Sequence, residues 1–245
     1  MIDPIILKLG NFQVGYYSLI YILGFLAGLF ILLIASKKKE IGLKEEQIYD
    51  LIVLLIFGII MGARLFHILF WDFNYFLSYP IKILYIWEGG FSFHGGLLGA
   101  SLIVIIFSRW NKINVWKLAD ILIIPAILFL AFGRLANFIN QEIVGTITNV
   151  AWCVNFEDYF GCRHPVQLYG AFGRFALFTL LLFIKENFKS KQGFLFWISI
   201  LLIGVGRFFT DFLREDLAYY GLNPGQWISL IMIIISCLFL WNFKR

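Results

Sequence analysis

Long apolar runs separated by short polar breaks make up almost the whole of this chain, and each run has the length of a bilayer crossing. The runs fall at 14–35, 49–71, 92–109, 116–139, 166–186, 194–213 and 224–242, each near the roughly 20 residues a helix needs to span the hydrocarbon. The pattern predicts an all-α integral membrane protein with seven transmembrane helices. No Pro/Ser-rich linker or low-complexity tract interrupts it, so the chain reads as a single transmembrane domain over 1–245 with short loops.

The polar breaks set the orientation. Lys37, Lys38, Lys39 and Lys44 follow the first run, and Arg109, Lys112 and Lys117 lie between the third and fourth. Lys185, Lys189 and Lys191 lie between the fifth and sixth, and Lys244 and Arg245 follow the seventh. The opposite breaks and the N-terminus hold only Lys8, Lys82, Arg163 and Arg214. By the positive-inside rule the C-terminus is cytoplasmic and the N-terminus faces out, and an odd number of crossings agrees with termini on opposite sides.

Composition adds exclusions. The 245 residues are 61% hydrophobic and only 14% charged, against about 45–50% apolar and about 25% charged in soluble domains. That excludes disorder and an ordinary globular core. The net charge of +5 is scattered in short clusters, so it points to a bilayer and not to nucleic acid. The opening MIDPIILKLGNFQ lacks a basic segment and a small-residue cleavage site, so no cleavable signal peptide is expected.

Against this background, polar residues inside the runs carry the information. Arg64, Arg134, Arg174 and Arg207 lie within or at the ends of runs, each with a glycine one or two residues before it. An arginine at a helix centre costs roughly 2.5–3.5 kcal/mol on the insertion scale unless it faces water, a partner or an anion. Snorkelling or a structural ion pair is the alternative for any one of them. In FGRLANFINQEIVG, if the fourth helix runs on past Asn140, then Arg134, Asn137, Gln141 and Gly145 fall close to one face, with Asn140 and Glu142 to either side. Such a group at the outer end of a span can hold a phosphodiester bidentately and bond glycerol oxygens, with Glu142 orienting an arginine. A satisfied helix-end network is the bland reading.

In WEGGFSFHGGLLGA, Gly89-Gly90 and Gly95-Gly96 flank Ser92 and His94, and paired glycines allow close backbone approach. His94 suits proton transfer, with a hydrogen-bonded structural histidine as the alternative. Arg207, Asp211 and Arg214 follow i, i+4, i+7, so the aspartate can brace both arginines. Gly58 and Gly62 make a weak helix-packing G-x-x-x-G. Cys153 and Cys162 read either as a disulfide in an oxidising compartment or as two free thiols; Cys237 reads as a packing residue. There is no phosphate-binding loop, nucleophile elbow or H-E-x-x-H motif, and the three histidines fall on separate segments. No metal site and no cofactor are expected.

Together these motifs resemble the prolipoprotein diacylglyceryl transferase family of bacterial inner-membrane enzymes. Gly133 through Gly145 is similar to the family signature G-R-x-[GA]-N-F-x-N-x-E-x-x-G at every fixed position. Ser92-Phe93-His94-Gly95-Gly96 matches S-F-H-G-G, and Arg163-His164-Pro165 with Gln167-Leu168-Tyr169 matches R-H-P-x-Q-L-Y. Tyr17 through Tyr21 resembles Y-G-x-x-Y, with Ser18 in place of the glycine. Other departures from the family pattern are Val166 for serine, Gly170 for glutamate, Asp211 for glutamate, and a short outer segment from Thr146 to Cys162. The resemblance spans about 16–226 and implies a multi-pass plasma-membrane enzyme. It would transfer diacylglyceryl from phosphatidylglycerol to the lipobox cysteine thiol of prolipoprotein signal peptides, releasing glycerol phosphate. On that reading Arg134 and Arg207 hold the headgroup phosphate, and Asn137 and Glu142 position the lipid and brace the arginines. Asn140, Gly145 and Asp211 complete the binding site, His94 is the base, and Tyr17 donates a hydrogen bond. A membrane transporter or binding protein for lipid or small anions is the alternative, although no inverted repeat of broken helices is evident.

Overall fold

A computed structural model describes residues 5–9, 12–216 and 220–242. Lys244 and Arg245, counted in the charge bias, lie outside the described residues. The chain opens with an antiparallel hairpin, β1 (Ile5–Leu9) and β2 (Phe12–Gly15), and then enters α1 (Tyr16–Lys37). The first crossing therefore starts two residues later than the apolar pattern suggests, because residues 12–15 pair with β1 instead. In α2 (Glu45–Phe70) the opposite occurs: the helix begins four residues before the apolar run. Its polar first turn is held by the Lys44 N–H donating to Gln47 Oε1 at 2.8 Å, and Glu45 and Glu46 complement the positive end of the helix dipole. Hydropathy is blind to such a turn.

A short helix α3 (Phe73–Ser78) and two 3₁₀ turns, Pro80–Leu84 and Ile86–Glu88, lead to α4 (Phe93–Trp110). Then come α5 (Val115–Ile139), the two-residue strands β3 (Val154–Asn155) and β4 (Cys162–Arg163), and α6 (Val166–Asn187). The chain finishes with α7 (Phe194–Thr210), which tightens into a 3₁₀ turn at Asp211–Leu213, and α8 (Pro224–Asn242). Seven of these helices, all but α3, are long and apolar enough to cross a membrane. Their outward side chains, such as Phe30, Val53, Leu102, Phe172 and Ile234, are large and apolar, as lipid-facing positions must be.

The contacts divide the chain into two compact units, Met1–Ala27 with Asp120–Arg245, and Gly28–Ala119. In the second unit α2 and α4 approach closely through glycine on both sides. A methyl group built on Gly62 would strike the Gly95 carbonyl, and one on Gly99 the Gly58 carbonyl. The faint G-x-x-x-G on α2 is thus answered by Gly95 and Gly99 on α4, and van der Waals contact between backbones replaces the hydrophobic drive that lipid removes. Arg64, buried on α2, donates to the carbonyls of Lys82, Ile83, Tyr85, Gly89 and Gly90. For this arginine the role is structural, but through backbone carbonyls and not by the snorkelling or ion pair expected: it clasps the irregular segment ahead of α4.

In the first unit Ile124 and Ile127 of α5 pack with Leu177 and Leu181 of α6 and Leu195 of α7. Trp197 of α7 stacks on Phe239 of α8 with ring centroids 4.0 Å apart. The Asp120 carboxylate accepts from the N–H groups of Gly193 at 2.6 Å and Phe196 at 2.8 Å, so α5 caps the start of α7. Cys153 and Cys162 form a disulfide, which decides between the two readings of that pair. Cys237 is exposed on α8, beside the exposed Ile234 and Leu238, and is not the packing residue expected, because that face of α8 is left uncovered by the described residues.

Candidate functional site

The signature after α5 does not continue the helix. The Asn140 N–H is bonded back to Ala136, but those of Gln141 and Glu142 turn to the carbonyls of Phe138 and Asn137. Gln141 and Ile143 both adopt left-handed backbone, with φ of 57°. The expected single face of Arg134, Asn137, Gln141 and Gly145 is corrected accordingly: the helix ends at Ile139 and Gly145 sits in a loop. What reverses the chain is the Glu142 carboxylate. It accepts from Asn137 Nδ2 at 2.9 Å, Asn140 Nδ2 at 3.1 Å and the Tyr17 hydroxyl of α1 at 3.1 Å. Asn137 also donates to Tyr17. Among the described residues no arginine bonds Glu142, so its expected role of bracing one is taken by a knot of neutral donors.

The loop beyond is laced to the end of α7. The Thr146 N–H donates to the Leu213 carbonyl at 2.8 Å, and Gly145 bridges to Arg214. A side chain on Gly145 would collide with the His164 carbonyl, which is why this position must be glycine. Arg163 of the R-H-P motif is buried; it donates to the Gly145 carbonyl at 3.0 Å and pairs with Glu215. Gln167, fully buried in the first turn of α6, donates to the Glu142 carbonyl at 2.7 Å. Arg163 and Gln167 thus hold the signature loop from behind.

These braces shape a small cavity of about 20 Å³ within the first unit. Arg134 of α5, Arg174 of α6, and Arg207 and Arg214 around the end of α7 line it, and Asp211 supplies its one carboxylate. Asp211 is buried; it accepts from Arg207 Nε at 3.3 Å and Arg214 Nη1 at 3.4 Å, and Arg214 turns its other arm to Asp216 at 3.0 Å. The spacing of Arg207, Asp211 and Arg214 therefore does bring one carboxylate between two guanidiniums, although the helix has tightened by then. Ile143, Val166, Gly170 and Thr210 complete the wall. Where α8 begins, Gly225 lies against Asp211 and Arg207, and Asn223 Nδ2 donates to the Asp211 carbonyl at 3.1 Å. A walled group of guanidiniums in apolar surroundings can hold a phosphate and stabilise negative charge growing on it.

Of the residues singled out in the sequence, Arg134, Arg207 and Asp211 meet in this cavity. Tyr17, Asn137, Asn140 and Glu142 form the adjoining knot in the same unit, and Gly145 anchors the loop. His94 belongs to the second unit, exposed in the first turn of α4 with its ring beside Phe66 and Phe93. Its neighbours Gly95 and Gly96 are buried against α2. Arg174, Arg214 and Gln167 were not expected at the site. Each had a signal: Arg174 interrupts an apolar run, Arg214 closes the i, i+7 pattern, and Gln167 lies within R-H-P-x-Q-L-Y.

Comparison with known proteins identifies the family of this chain. The family model described as prolipoprotein diacylglyceryl transferase matches residues 4–242. A phosphatidylglycerol–prolipoprotein diacylglyceryl transferase of Geobacter sulfurreducens is 40% identical over 241 residues, covering 96% of this chain and 93% of the relative. One from Tolumonas auensis is 40% identical over 95% of this chain and 92% of its own, and one from Bartonella bacilliformis 35% identical over 96% and 90%. With an arginine-lined cavity under the matching signature and the match running nearly end to end, the chain belongs to the prolipoprotein diacylglyceryl transferase family.

Proposed function

We propose that this protein transfers the diacylglyceryl group of phosphatidylglycerol to the thiol of the lipobox cysteine in prolipoprotein signal peptides, in the bacterial inner membrane. The observation that carries the reading is the cavity in which Arg134, Arg174, Arg207 and Arg214 face one carboxylate, Asp211. In this reading the phosphodiester enters between Arg134 and Arg207, with Asp211 holding Arg207 in place. The knot of Tyr17, Asn137, Asn140 and Glu142 fixes the loop and offers its amides and hydroxyl to glycerol oxygens, and Gly145 lets the loop lie close. The cysteine sulfur forms a bond to the glyceryl carbon while the carbon–oxygen bond to phosphate breaks, and the electron pair leaves on the phosphate oxygen. His94 takes the thiol proton, since the thiolate is the nucleophile. The N-terminus faces out and the C-terminus the cytoplasm, which puts the disulfide-bonded loop on the oxidising side.

The test is direct. Purified protein in micelles containing phosphatidylglycerol is given a lipobox peptide, and the peptide mass is read. A gain of one diacylglyceryl group, lost when the peptide cysteine is serine and lost in Arg134→Ala, supports the reading. Peptide and lipid that bind without a mass change would overturn it in favour of a transporter or a binding protein.

A further inference from the structure

The charges around the cavity are unequal in a way the substrate alone does not account for. Asp211 engages Arg207 and Arg214, and Arg214 has Asp216 as well. Arg134 and Arg174 have no carboxylate within ion-pair distance among the described residues. Arg174 donates only to the Gly170 carbonyl of its own helix at 2.8 Å, and its Nε is buried with no partner. The two lie on either side of Gly170: a methyl group there would be 3.0 Å from Arg174 Nη1 and 3.4 Å from Arg134 Cδ. No side chain from α6 separates or neutralises them at that point.

Two uncompensated guanidiniums in one walled cavity are matched by a dianion. A phosphodiester lipid carries one negative charge. A phosphate monoester carries close to two at pH 7, its second pKa being about 6. In the transfer, the thiolate's charge ends on the departing phosphate oxygen, so the headgroup changes from a monoanion to a dianion as the carbon–oxygen bond breaks. Groups aimed at where charge develops accelerate the step; groups that bind both states equally do not.

We propose that Arg174 is a further catalytic residue of this enzyme, contacting the leaving phosphate and stabilising the second negative charge that appears on it. The inference rests on the transferase reading. It makes the cavity a site for a phosphate monoester dianion, with Arg134 and Arg174 as its two cations without an ion-pair partner among the described residues and Gly170 as the opening between them.

The experiment uses the full-length protein in phosphatidylglycerol micelles, with glycerol phosphate as the added probe. Steady-state transfer and direct binding of glycerol phosphate are measured for wild type, Arg174→Gln, Arg174→Lys and Gly170→Glu. Arg174→Gln is expected to lower kcat about 100-fold with KM for phosphatidylglycerol nearly unchanged, and to weaken glycerol phosphate binding by a similar factor. Arg174→Lys restores part of both, and Gly170→Glu, which sets a carboxylate beside Arg174, reproduces the glutamine variant. A glutamine variant with wild-type kcat and wild-type glycerol phosphate binding overturns the proposal. So does one that raises KM alone, or a lysine variant as impaired as the glutamine variant, which would indicate a structural role. If the wild type binds glycerol phosphate through Arg174 yet transfers nothing to the peptide, the dianion site stands and the transferase reading falls.

Discussion

Arg134 reaches the cavity with no ion-pair partner among the described residues, so its removal leaves the wall of α5 uncharged. Arg134→Ala is expected to lower transfer by about 100- to 1,000-fold with the fold intact, measured by peptide mass gain alongside thermal melting in detergent. His94→Gln separates base from scaffold. The amide keeps hydrogen bonding but takes no proton, and the loss expected is about 100-fold or more. Nearly full turnover in that variant would remove His94 from the chemistry and leave deprotonation of the thiol to its surroundings. Some residues were legible in the sequence because their chemistry clashes with their setting. Arg134 and Arg207 stand out in apolar runs, and Asp211 stands at the spacing a brace needs. Arg174 stood out in the same way, but nothing in a linear pattern says that it faces Arg134 across a glycine. Arg64, equally conspicuous, proved to be saturated by five backbone carbonyls.

Helices were placed by hydropathy to within a few residues, and the errors have local causes. The polar first turn of α2 is stabilised by a cap that hydropathy ignores, and β2 takes residues an apolar count assigns to α1. The run ending at 139 matches the end of α5, but the single face that a helix continuing past Asn140 would present does not form, for a different reason. A carboxylate that gathers Tyr17, Asn137 and Asn140 turns the chain, and one of its partners lies more than a hundred residues away. Two predictions belong at this scale. Gly99→Leu forces α4 away from the Gly58 backbone and overpacks the contact; a loss of about 1–3 kcal/mol is expected, read as a lower melting temperature. Asp120→Ala removes the acceptor for two N–H groups at the start of α7 and is expected to cost about 2 kcal/mol, with faster amide exchange at Gly193 and Phe196.

For the whole molecule, seven crossings follow from composition and run length, and among the described residues seven helices are long and apolar enough to make them. Orientation is a separate expectation, carried by the lysine-rich breaks. Single cysteines introduced at Lys39 and at Asn149 in a chain lacking Cys237 should react with a membrane-impermeant maleimide from opposite sides of the membrane. Equal labelling from one side would overturn the topology. The Cys153–Cys162 bridge bears on the same side. Reduction is expected to leave the helical content intact but to raise protease cleavage between 146 and 163, because closing a loop of this size contributes about 2–3 kcal/mol.

All four arginines of the cavity lie before residue 215, yet Asp211 is buttressed by Asn223 and Gly225 at the opening of α8. In order of synthesis, the cations are therefore threaded into the membrane first, and the segment that buttresses Asp211, the counter-ion of Arg207 and Arg214, arrives last. A nascent chain halted after its sixth crossing already exposes every guanidinium but lacks the turn that holds Asp211 between two of them. The wall around Asp211 is thus completed in the final stretch of translation, when the seventh crossing folds back against the sixth.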